Sequence, residues 1–284
     1  MTIDLHAHST RSDGDVSPAD LVRRAAAAGL TVVALTDHDT YAGIDDAAAA
    51  LPSGLTLIPG VEISCDIKVD GQMQTAHLLV YLMNRWYQPL TATLASIRQA
   101  RIERAQIMVG KITDAGYPLL WADVVTIAGT STIGKPHIAQ AMVNAGILTT
   151  VAEAYTPAWL DSGSPYYVPK WQPDIQDILP LVLEARGVPV LAHPRGKRGS
   201  PLDDHHLETL ARAGLAGVEV DHPEHDAAAR GELRGLAAEL GLIVTGSSDF
   251  HGSRKPQGLG AETTSREAYK ALVAATTGAK PIMA

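Results

Sequence analysis

Residues 17–37 read SPADLVRRAAAAGLTVVALTD, a stretch that combines a helical pattern with a strand pattern. Ser17 suits an N-cap, Pro18 suits the first helical position and Gly29 suits a helix stop, so the spacing predicts a helix between them. The β-branched run that follows predicts a short strand. A helix that leads directly into a strand is typical of an α/β fold.

The same alternation of strand and helix extends along most of the chain. Seven apolar runs are predicted as strands, and most precede a helical pattern such as YAGIDDAAAAL. Repeated βα units predict a parallel sheet, and seven of them favour a barrel over an open sheet. The predicted strands are TIDLHAH from residue 2, TVVALTD from 31, LTLIPGVE from 55, HLLVYL from 77, VPVLAH from 188, GVEV from 217 and LIVTGSSD from 242.

The alternation stops once, between Asn84 and Trp171. This part of the sequence has only helical patterns, including LTATLASIRQARIERAQIMVGKITDAG and KPHIAQAMVNAG. We therefore predict an α/β barrel formed by residues 1–83 and 172–284. Residues 84–171 are predicted to form a helical insertion that caps the C-terminal face of the barrel.

The composition argues against several classes of function. The 284 residues carry a formal net charge of -8, so no binding face for duplex nucleic acid is expected. Cys65 is the only cysteine, which argues against a disulfide framework and a thiolate zinc site. The sequence has no export signal and no apolar run long enough to span a membrane, so a cytoplasmic location is expected. These observations leave the oligomeric state open.

Histidines and carboxylates follow the predicted strands. In a barrel the loops after the strands meet at one face, so these side chains are expected to lie close together. His6 and His8 are two residues apart on one strand and therefore point to the same side. His77 differs, because it opens the fourth predicted strand. The residues at C-terminal strand ends are His6, His8, Asp37, His38, Glu62, His193, Asp249 and His251.

Taken alone, each of these residues has an ordinary explanation: a single HxH can be two surface or core histidines, and Glu62 can be an ion-paired carboxylate. With His77 and Asp13 added and Asp37 left aside, the set contains six histidines and three carboxylates, and such a concentration of polar groups is costly unless cations are present. Imidazole and carboxylate ligands without thiolate fit Mn, Fe or Zn. Nine ligand groups match two or three divalent ions, whose net positive charge would attract phosphate.

Several segments together resemble a known family. DLHAHSTRSDG, ALTDHD, PGVEIS, AHPRG and VTGSSDFHG occur in this order, and GKPHIA lies in the predicted insertion. They resemble the motifs of the polymerase and histidinol phosphatase (PHP) superfamily of metal-dependent phosphoesterases, across nearly the whole chain. The resemblance implies a distorted, TIM-like (β/α)7 barrel with a trinuclear metal centre. Within the superfamily the sequence is most similar to small stand-alone bacterial enzymes that act on nucleoside 3',5'-bisphosphates or on cyclic phosphate esters.

The resemblance also implies a ligand set and a reaction. A hydroxide shared by two ions attacks a phosphate ester in line, with Glu62 as the bridging ligand. Asp13 stands where members similar to histidinol phosphatase carry histidine, which favours the stand-alone phosphoesterase branch. The implied ligands are His6, His8, Glu62 and Asp249 for the first ion, Glu62, His77 and His193 for the second, and Asp13, His38 and His251 for the third.

Four residues outside this set are candidates for substrate contact. Arg195, two residues after His193, has the fork geometry for phosphate, and its alternative is a surface arginine. Lys135 and His137 belong to GKPHIA, although His137 can equally make a structural hydrogen bond at a helix start. His222 follows a strand and can contact the scissile phosphate or protonate the leaving group. His205, His206 and His225 are predicted to be surface residues.

Three functional hypotheses remain from the sequence. The first, which we prefer, is a phosphatase for the 3'-phosphate of nucleoside 3',5'-bisphosphates, with 5'-end trimming of short oligonucleotides as an extension. The second is a cyclic phosphodiesterase that opens a sugar or nucleotide cyclic phosphate and then removes the monoester. The third is a catalytically silent metal-binding module. The insertion and the loop RGKRGSPLD from residue 195 are expected to form the pocket that distinguishes the first two hypotheses.

Overall fold

The computed structural model describes residues 1–69, 71–196 and 202–284. Most of the loop RGKRGSPLD, which we predict to line the substrate pocket, therefore lies outside the described residues. The described chain divides into two compact units. The first contains residues 1–94 and 173–284, and the second contains residues 95–172.

The first unit is a nearly closed barrel of seven strands in the order β1 to β7, as predicted. A parallel bridge between Ala7 and Phe250 brings the segment after β1 to the segment after β7. A short β8 also pairs with the start of β3. The strands are β1 (Ile3–Asp4), β2 (Val32–Leu35), β3 (Thr56–Val69), β4 (Gln72–Tyr81), β5 (Val188–Leu191), β6 (Gly217–Asp221), β7 (Ile243–Gly246) and β8 (Ile282–Met283).

The expectation of an entirely parallel barrel was wrong for one strand. β4 runs antiparallel to both of its neighbours, β3 and β5. The cause is local: β3 continues for 14 residues and leads directly into β4, with no helix between them to carry the chain back. Consequently the first half of β4 lies where the parallel strands end. His77, which opens the fourth predicted strand, pairs there with Ser64 of β3.

Helices follow most of the other strands, and the helix predicted after Ser17 is confirmed. The Ser17 side chain accepts a hydrogen bond from the backbone N–H of Asp20 at 3.1 Å. None of the described helices is both long enough and apolar enough to cross a membrane. The α-helices are α1 (Pro18–Ala27), α2 (Ile44–Ala49), α3 (Gln88–Asp114), α4 (Trp121–Ala128), α5 (Lys135–Asn144), α6 (Ile175–Glu184), α7 (Asp204–Arg212), α8 (Ala227–Leu240) and α9 (Arg266–Ala275).

Each unit has its own apolar core. In the barrel, β2 and β5 are buried along their whole length, as expected for strands covered on both faces. In the second unit, side chains of α3 and α5 such as Met108, Ile112 and Met142 form a separate cluster. Residues 84–171 form helices and turns with no strand, as their sequence pattern indicates.

Candidate metal centre

His6 and His8 lie side by side in the barrel interior. The chain stays extended after β1, and the backbone N–H of His8 donates to the carbonyl of Phe250 at 2.8 Å. Both rings are fully buried, and their Nε2 atoms are 3.0 Å apart. Two imidazole nitrogens at this distance repel each other through their lone pairs unless a proton or a cation lies between them.

Glu62 of β3 lies at the centre of the cluster and is only 1% exposed. Its Oε2 atom is 3.2 Å from Nε2 of His6 and 3.1 Å from Nε2 of His8. Its Oε1 atom is 2.9 Å from Nδ1 of His77 and 3.1 Å from Nε2 of His193. One carboxylate therefore connects two pairs of imidazoles, which is the arrangement of a bridging ligand.

His38 supplies an observation that hydrogen bonding does not explain. Its buried Nδ1 atom lies 3.2 Å from Oε2 of Glu62, yet it makes no hydrogen bond. The two atoms are close enough to share a cation, but their orientation does not suit direct bonding. The nitrogen and oxygen donors of this cluster therefore fit a divalent metal.

Asp249 and Asp13 supply the remaining carboxylates. Oδ1 of Asp249 is 3.4 Å from Nε2 of both His6 and His8. Oδ1 of Asp13 is 3.2 Å from Nε2 of His251, and its Oδ2 is 3.7 Å from Nε2 of His38. All nine predicted metal ligands thus come together. The groups whose donor atoms lie close enough to hold one ion are His8, Asp13, His38 and His251; His6, His8 and Asp249; and His38, Glu62 and His77.

Two of these residues have a strained backbone. His193 has a φ of 29° and Asp249 a φ of 50°, values that non-glycine residues rarely adopt. Each such residue costs about 1–3 kcal/mol and persists only where the surrounding structure holds it in place. Strain at two candidate ligands indicates that the strand ends are shaped for the site.

The charges in the cluster shift the pKa values of its members. Burial alone would lower the pKa of His8, but hydrogen bonds to Asp249 and Glu62 outweigh it and raise the value to about 9. Burial would raise the pKa of Glu62, but the positive charges of His38, His77 and His6 hold it well below its usual range. Burial instead lowers the pKa of His38 well below its usual range, so without metal protons on buried rings such as His8 offset only part of the carboxylate charge.

Polar groups behind the ligand cluster orient the rings, and the central one, Glu219, was not predicted from the sequence. This residue of β6 is completely buried, and its Oε1 atom is 3.2 Å from Nδ1 of His6. Burial would raise the pKa of Glu219, but the charges of His6 and His222 lower it to about 2. The sequence did contain a signal for Glu219, because a glutamate between two valines in the predicted strand GVEV is unusual for a buried strand.

His8 has a different support. Its Nδ1 atom is 3.4 Å from the hydroxyl of Ser12, and that hydroxyl donates to Asp37 at 2.7 Å. The Asp37 carboxylate also accepts the backbone N–H of Ser9 at 2.8 Å. Asp37, which we grouped with the strand-end residues, thus holds the loop after β1 and contacts the cluster only through Ser12.

His222 lies beside the ligand cluster. Its Nε2 atom is 3.4 Å from Oδ2 of Asp249, and its Nδ1 accepts the backbone N–H of Glu224 at 3.1 Å. The ammonium group of Lys255 contacts the same Oδ2 atom. Lys255 was missed, because a lysine in the polar segment GSRKPQG has no pattern that separates it from a surface residue.

The other predicted substrate residues are engaged elsewhere. The guanidinium of Arg195 donates to Asp204 at 2.8 Å and also contacts Glu232. In the second unit, Nδ1 of His137 accepts the backbone N–H of Gly134 at 3.1 Å, which is the structural alternative for this histidine. The Lys135 ammonium lies 5.1 Å from the ring centre of Tyr167.

The prediction that His225 is a surface residue was wrong. His225 is only 4% exposed; its Nδ1 donates to the carbonyl of Val220 at 2.9 Å, and its Nε2 accepts the backbone N–H of Arg195 at 3.2 Å. His205 is exposed as expected, whereas His206 is partly buried and contacts the carbonyl of Lys68 at 3.1 Å. The polar segment DHPEHD looks exposed in sequence, but His225 connects the ends of β5 and β6.

Known proteins are similar to this chain in both sequence and fold. The model of the PHP domain matches residues 4–116. The 3',5'-nucleoside bisphosphate phosphatase of Chromobacterium violaceum is 32% identical over 257 residues, covering 88% of this chain and 87% of the relative. The chain belongs to the PHP family.

Two further comparisons agree with this PHP assignment. The phosphoribosyl 1,2-cyclic phosphate 1,2-diphosphodiesterase of Eggerthella lenta is 30% identical over 261 residues, covering 89% of this chain and 95% of the relative. A solved structure from Bifidobacterium adolescentis, assigned as a metal-dependent phosphoesterase, has a TM-score of 0.86 and 35% identity, covering 97% of this chain and 96% of that one. This PHP protein is a metal-dependent hydrolase of phosphate esters.

Proposed function

We propose that this PHP protein removes the 3'-phosphate from nucleoside 3',5'-bisphosphates with two or three Mn, Fe or Zn ions. The observation that carries the proposal is the position of Glu62, whose two oxygens face different histidine pairs within 2.9–3.2 Å. The substrate class is supported by the relative from Chromobacterium violaceum, whose name gives that activity.

The proposed ligand sets are those implied by the family resemblance, and they overlap with the geometric groups without matching them: His38 also lies with Glu62 and His77, and His193 is in none of those groups. His6, His8, Glu62 and Asp249 hold the first ion, Glu62, His77 and His193 the second, and Asp13, His38 and His251 the third. Bound divalent ions of this kind supply an activated hydroxide near neutral pH and neutralise the phosphoryl oxygens.

His222 is proposed to contact the scissile phosphate through Nε2. Its Nδ1 accepts the backbone N–H of Glu224, so the neutral ring carries its proton on Nε2. Nε2 lies 3.4 Å from Oδ2 of Asp249, at the edge of the cluster. The ring can therefore donate a hydrogen bond to a phosphoryl oxygen bound beside Asp249.

Arg195, Lys135 and His137 are proposed to bind the non-reacting part of the substrate. For Arg195 such contact requires the guanidinium to exchange Asp204 or Glu232 for a phosphate. Around Lys135 the second unit gathers positive charge, since Arg104 also lies over Tyr167, with its guanidinium carbon 5.4 Å from the ring centre. This concentration of positive charge would favour an anionic group.

A phosphate-release assay on metal-analysed protein tests the proposal. A nucleoside 3',5'-bisphosphate, a phosphoribosyl cyclic phosphate, a short 5'-phosphorylated oligonucleotide and a generic monoester are compared by kcat/KM. We expect the bisphosphate to be hydrolysed best and chelation to abolish all activity. His222→Gln, which keeps a polar side chain but removes the imidazole, should lower kcat with little change in metal content.

The second candidate is a cyclic phosphodiesterase, which the relative from Eggerthella lenta favours. It predicts that the cyclic phosphate outperforms the bisphosphate and that a monoester intermediate accumulates transiently. The third candidate, a silent metal-binding module, predicts full metal content with no hydrolysis of any of the four substrates. The convergence of all nine ligands argues against this third candidate.

A further inference from the structure

We propose that Glu219 is a positioning residue that holds candidate ligands of two different metal ions in register. The inference rests on the proposed metal centre, because its action is on His6 and His193. Glu219 itself lies behind both residues in β6, and it is not one of the nine proposed ligands. Its role is to fix which ring nitrogen of His6 faces the metal and where the His193 backbone lies.

Hydrogen-bond donors surround both oxygens of the Glu219 carboxylate. Oε1 accepts from the Ser247 hydroxyl and lies 3.2 Å from Nδ1 of His6. Oε2 accepts the backbone N–H of His193 at 2.9 Å. A fully buried carboxylate is costly unless it is hydrogen-bonded and compensated by positive charge, and these contacts provide both. From β6, one side chain thus contacts residues that follow β1, β5 and β7.

Glu219 also determines which nitrogen of the His6 ring carries the proton. With Nδ1 directed at a carboxylate, the proton of the neutral ring lies on Nδ1, which leaves the lone pair of Nε2 for a metal. Nε2 is the atom that lies 3.2 Å from Glu62 and 3.4 Å from Asp249. Glu219 therefore selects the ligand atom as well as the orientation of the ring.

Glu219 also holds the backbone of His193. Its φ of 29° is strained, and the bond from its N–H to Glu219 fixes the peptide at this point. The ring of His193 then reaches Oε1 of Glu62 at 3.1 Å, whereas His6 approaches Oε2. Through this bond and the bond to His6, Glu219 supports groups on both sides of the bridging carboxylate.

Asp4 shows that burial alone does not create this role. It is also completely buried, but its carboxylate accepts from the hydroxyl of Ser248 at 2.6 Å and the backbone N–H of Gly260 at 2.8 Å. Asp4 also accepts the backbone N–H of His6 at 3.4 Å, but it makes no contact with the imidazole ring. Glu219 and Asp4 are thus both buried carboxylates of the barrel interior, but Glu219 is the one that contacts a ligand ring.

The test is Glu219→Gln, which keeps the size of the side chain but can no longer offer two acceptor oxygens. Zinc affinity is measured by competition with a chelator. Loss of an outer partner of a metal ligand typically lowers affinity by about 10- to 100-fold, and we expect a loss in this range. Thr264→Val is the matched control: it removes the buried hydroxyl that donates to Gly246 at 2.7 Å, and it should lower stability without changing zinc affinity.

A spectroscopic measurement separates positioning from general structure. Long-range ¹H–¹⁵N spectra of the zinc-loaded wild-type protein should show the His6 ring with a protected proton on Nδ1 and the metal on Nε2. In Glu219→Gln this proton should lose its protection, while Thr264→Val should keep it. A wild-type His6 with its proton on Nε2 overturns the proposal even where the glutamine variant fails to fold.

The outcomes also distinguish this proposal from the proposed function. In one outcome, the wild-type protein binds zinc and hydrolyses phosphate esters, and Glu219→Gln has the same zinc affinity and the same His6 spectrum. This outcome overturns the role of Glu219 but not the proposed function. Wild-type protein that binds no divalent metal overturns both. In a third outcome, the wild-type protein binds zinc but hydrolyses no phosphate ester, and only Glu219→Gln loses zinc affinity. This outcome supports the positioning role and overturns the proposed reaction.

Discussion

The two pairs of histidines around Glu62 differ in depth. His6 and His8 have fully buried side chains, whereas the side chains of His77 and His193 are 20% and 22% exposed. The deep pair lies on the segment after β1, and its rings are supported by Glu219 and Ser12. The difference teaches that one side of the proposed Glu62 bridge is enclosed and the other is open to solvent, so metal should be held unequally on the two sides.

Removing the bridge itself should have the largest effect. Glu62→Gln keeps the shape of the side chain but removes the charge between the two pairs. Since loss of an outer partner costs about 10- to 100-fold, loss of a shared ligand should lower kcat/KM by more than about 100-fold and reduce bound metal. Metal analysis and phosphate release measure the two effects. Full metal content at the wild-type rate would mean that Glu62 is not a bridge.

Single histidine variants test directly whether the two sides of Glu62 hold metal with unequal affinity. His8→Asn should lose more metal affinity than His77→Asn, because the buried position lacks the water that can replace a lost ligand at the exposed one. Metal content after dialysis against a weak chelator gives the order. The reverse order would show that exposure does not determine how tightly the two sides hold metal.

The pH dependence of stability in the metal-free protein tests the description of the buried pair, His6 and His8. The pKa of His8 is raised to about 9 from a usual value of 6.5, so its charged form stabilises the fold below pH 6.5, and this contribution is lost as pH rises towards 9. In the presence of a chelator, the difference in unfolding free energy between wild type and His8→Asn should therefore shrink from pH 6 to about pH 9.5. Urea unfolding at several pH values measures it. A constant difference would contradict a charged His8.

Arg195→Ala should give the smallest effect. A charge-assisted bond to a non-reacting phosphate is worth about 1.5–3 kcal/mol, or roughly 10- to 150-fold. Because Asp204 and Glu232 compete for the guanidinium, we expect a loss of roughly 10-fold in kcat/KM for a bisphosphate and less for a simple monoester. Arg195→Lys should recover only part of it. Equal losses on both substrates would place Arg195 at the scissile phosphate, and no loss would leave it as a structural ion pair.

The barrel and the ligand cluster could be predicted because their signals are local. The helix after Ser17 is set by its cap, and the HxH spacing of His6 and His8 depends only on strand geometry. Parallel strands then bring their ends together whatever the details of packing. These signals are sufficient to collect the strand-end histidines at one face.

The parts that were missed depend on contacts distant in sequence. The direction of β4 follows from the hairpin with β3, and the dipeptide Asp70–Gly71 between two strand patterns was an available turn signal. The burial of His225 depends on Arg195 and Val220, which its own segment does not reveal. Arg195 was expected to face a phosphate, but α7 and α8 bring two carboxylates to it, and helix placement is not encoded in the AHPRG motif.

The hairpin of β3 and β4 pairs residues 60–69 with residues 72–81 without interruption. Long paired ladders open last during native-state fluctuations, so their amides exchange with solvent most slowly. Glu62 and His77 both lie on this ladder, while the short β1 pairs through only two residues with β2. Glu62, the proposed bridge, and His77 are thus held in a longer backbone ladder than the one that precedes His6 and His8, and their amides are expected to exchange more slowly than those of β1.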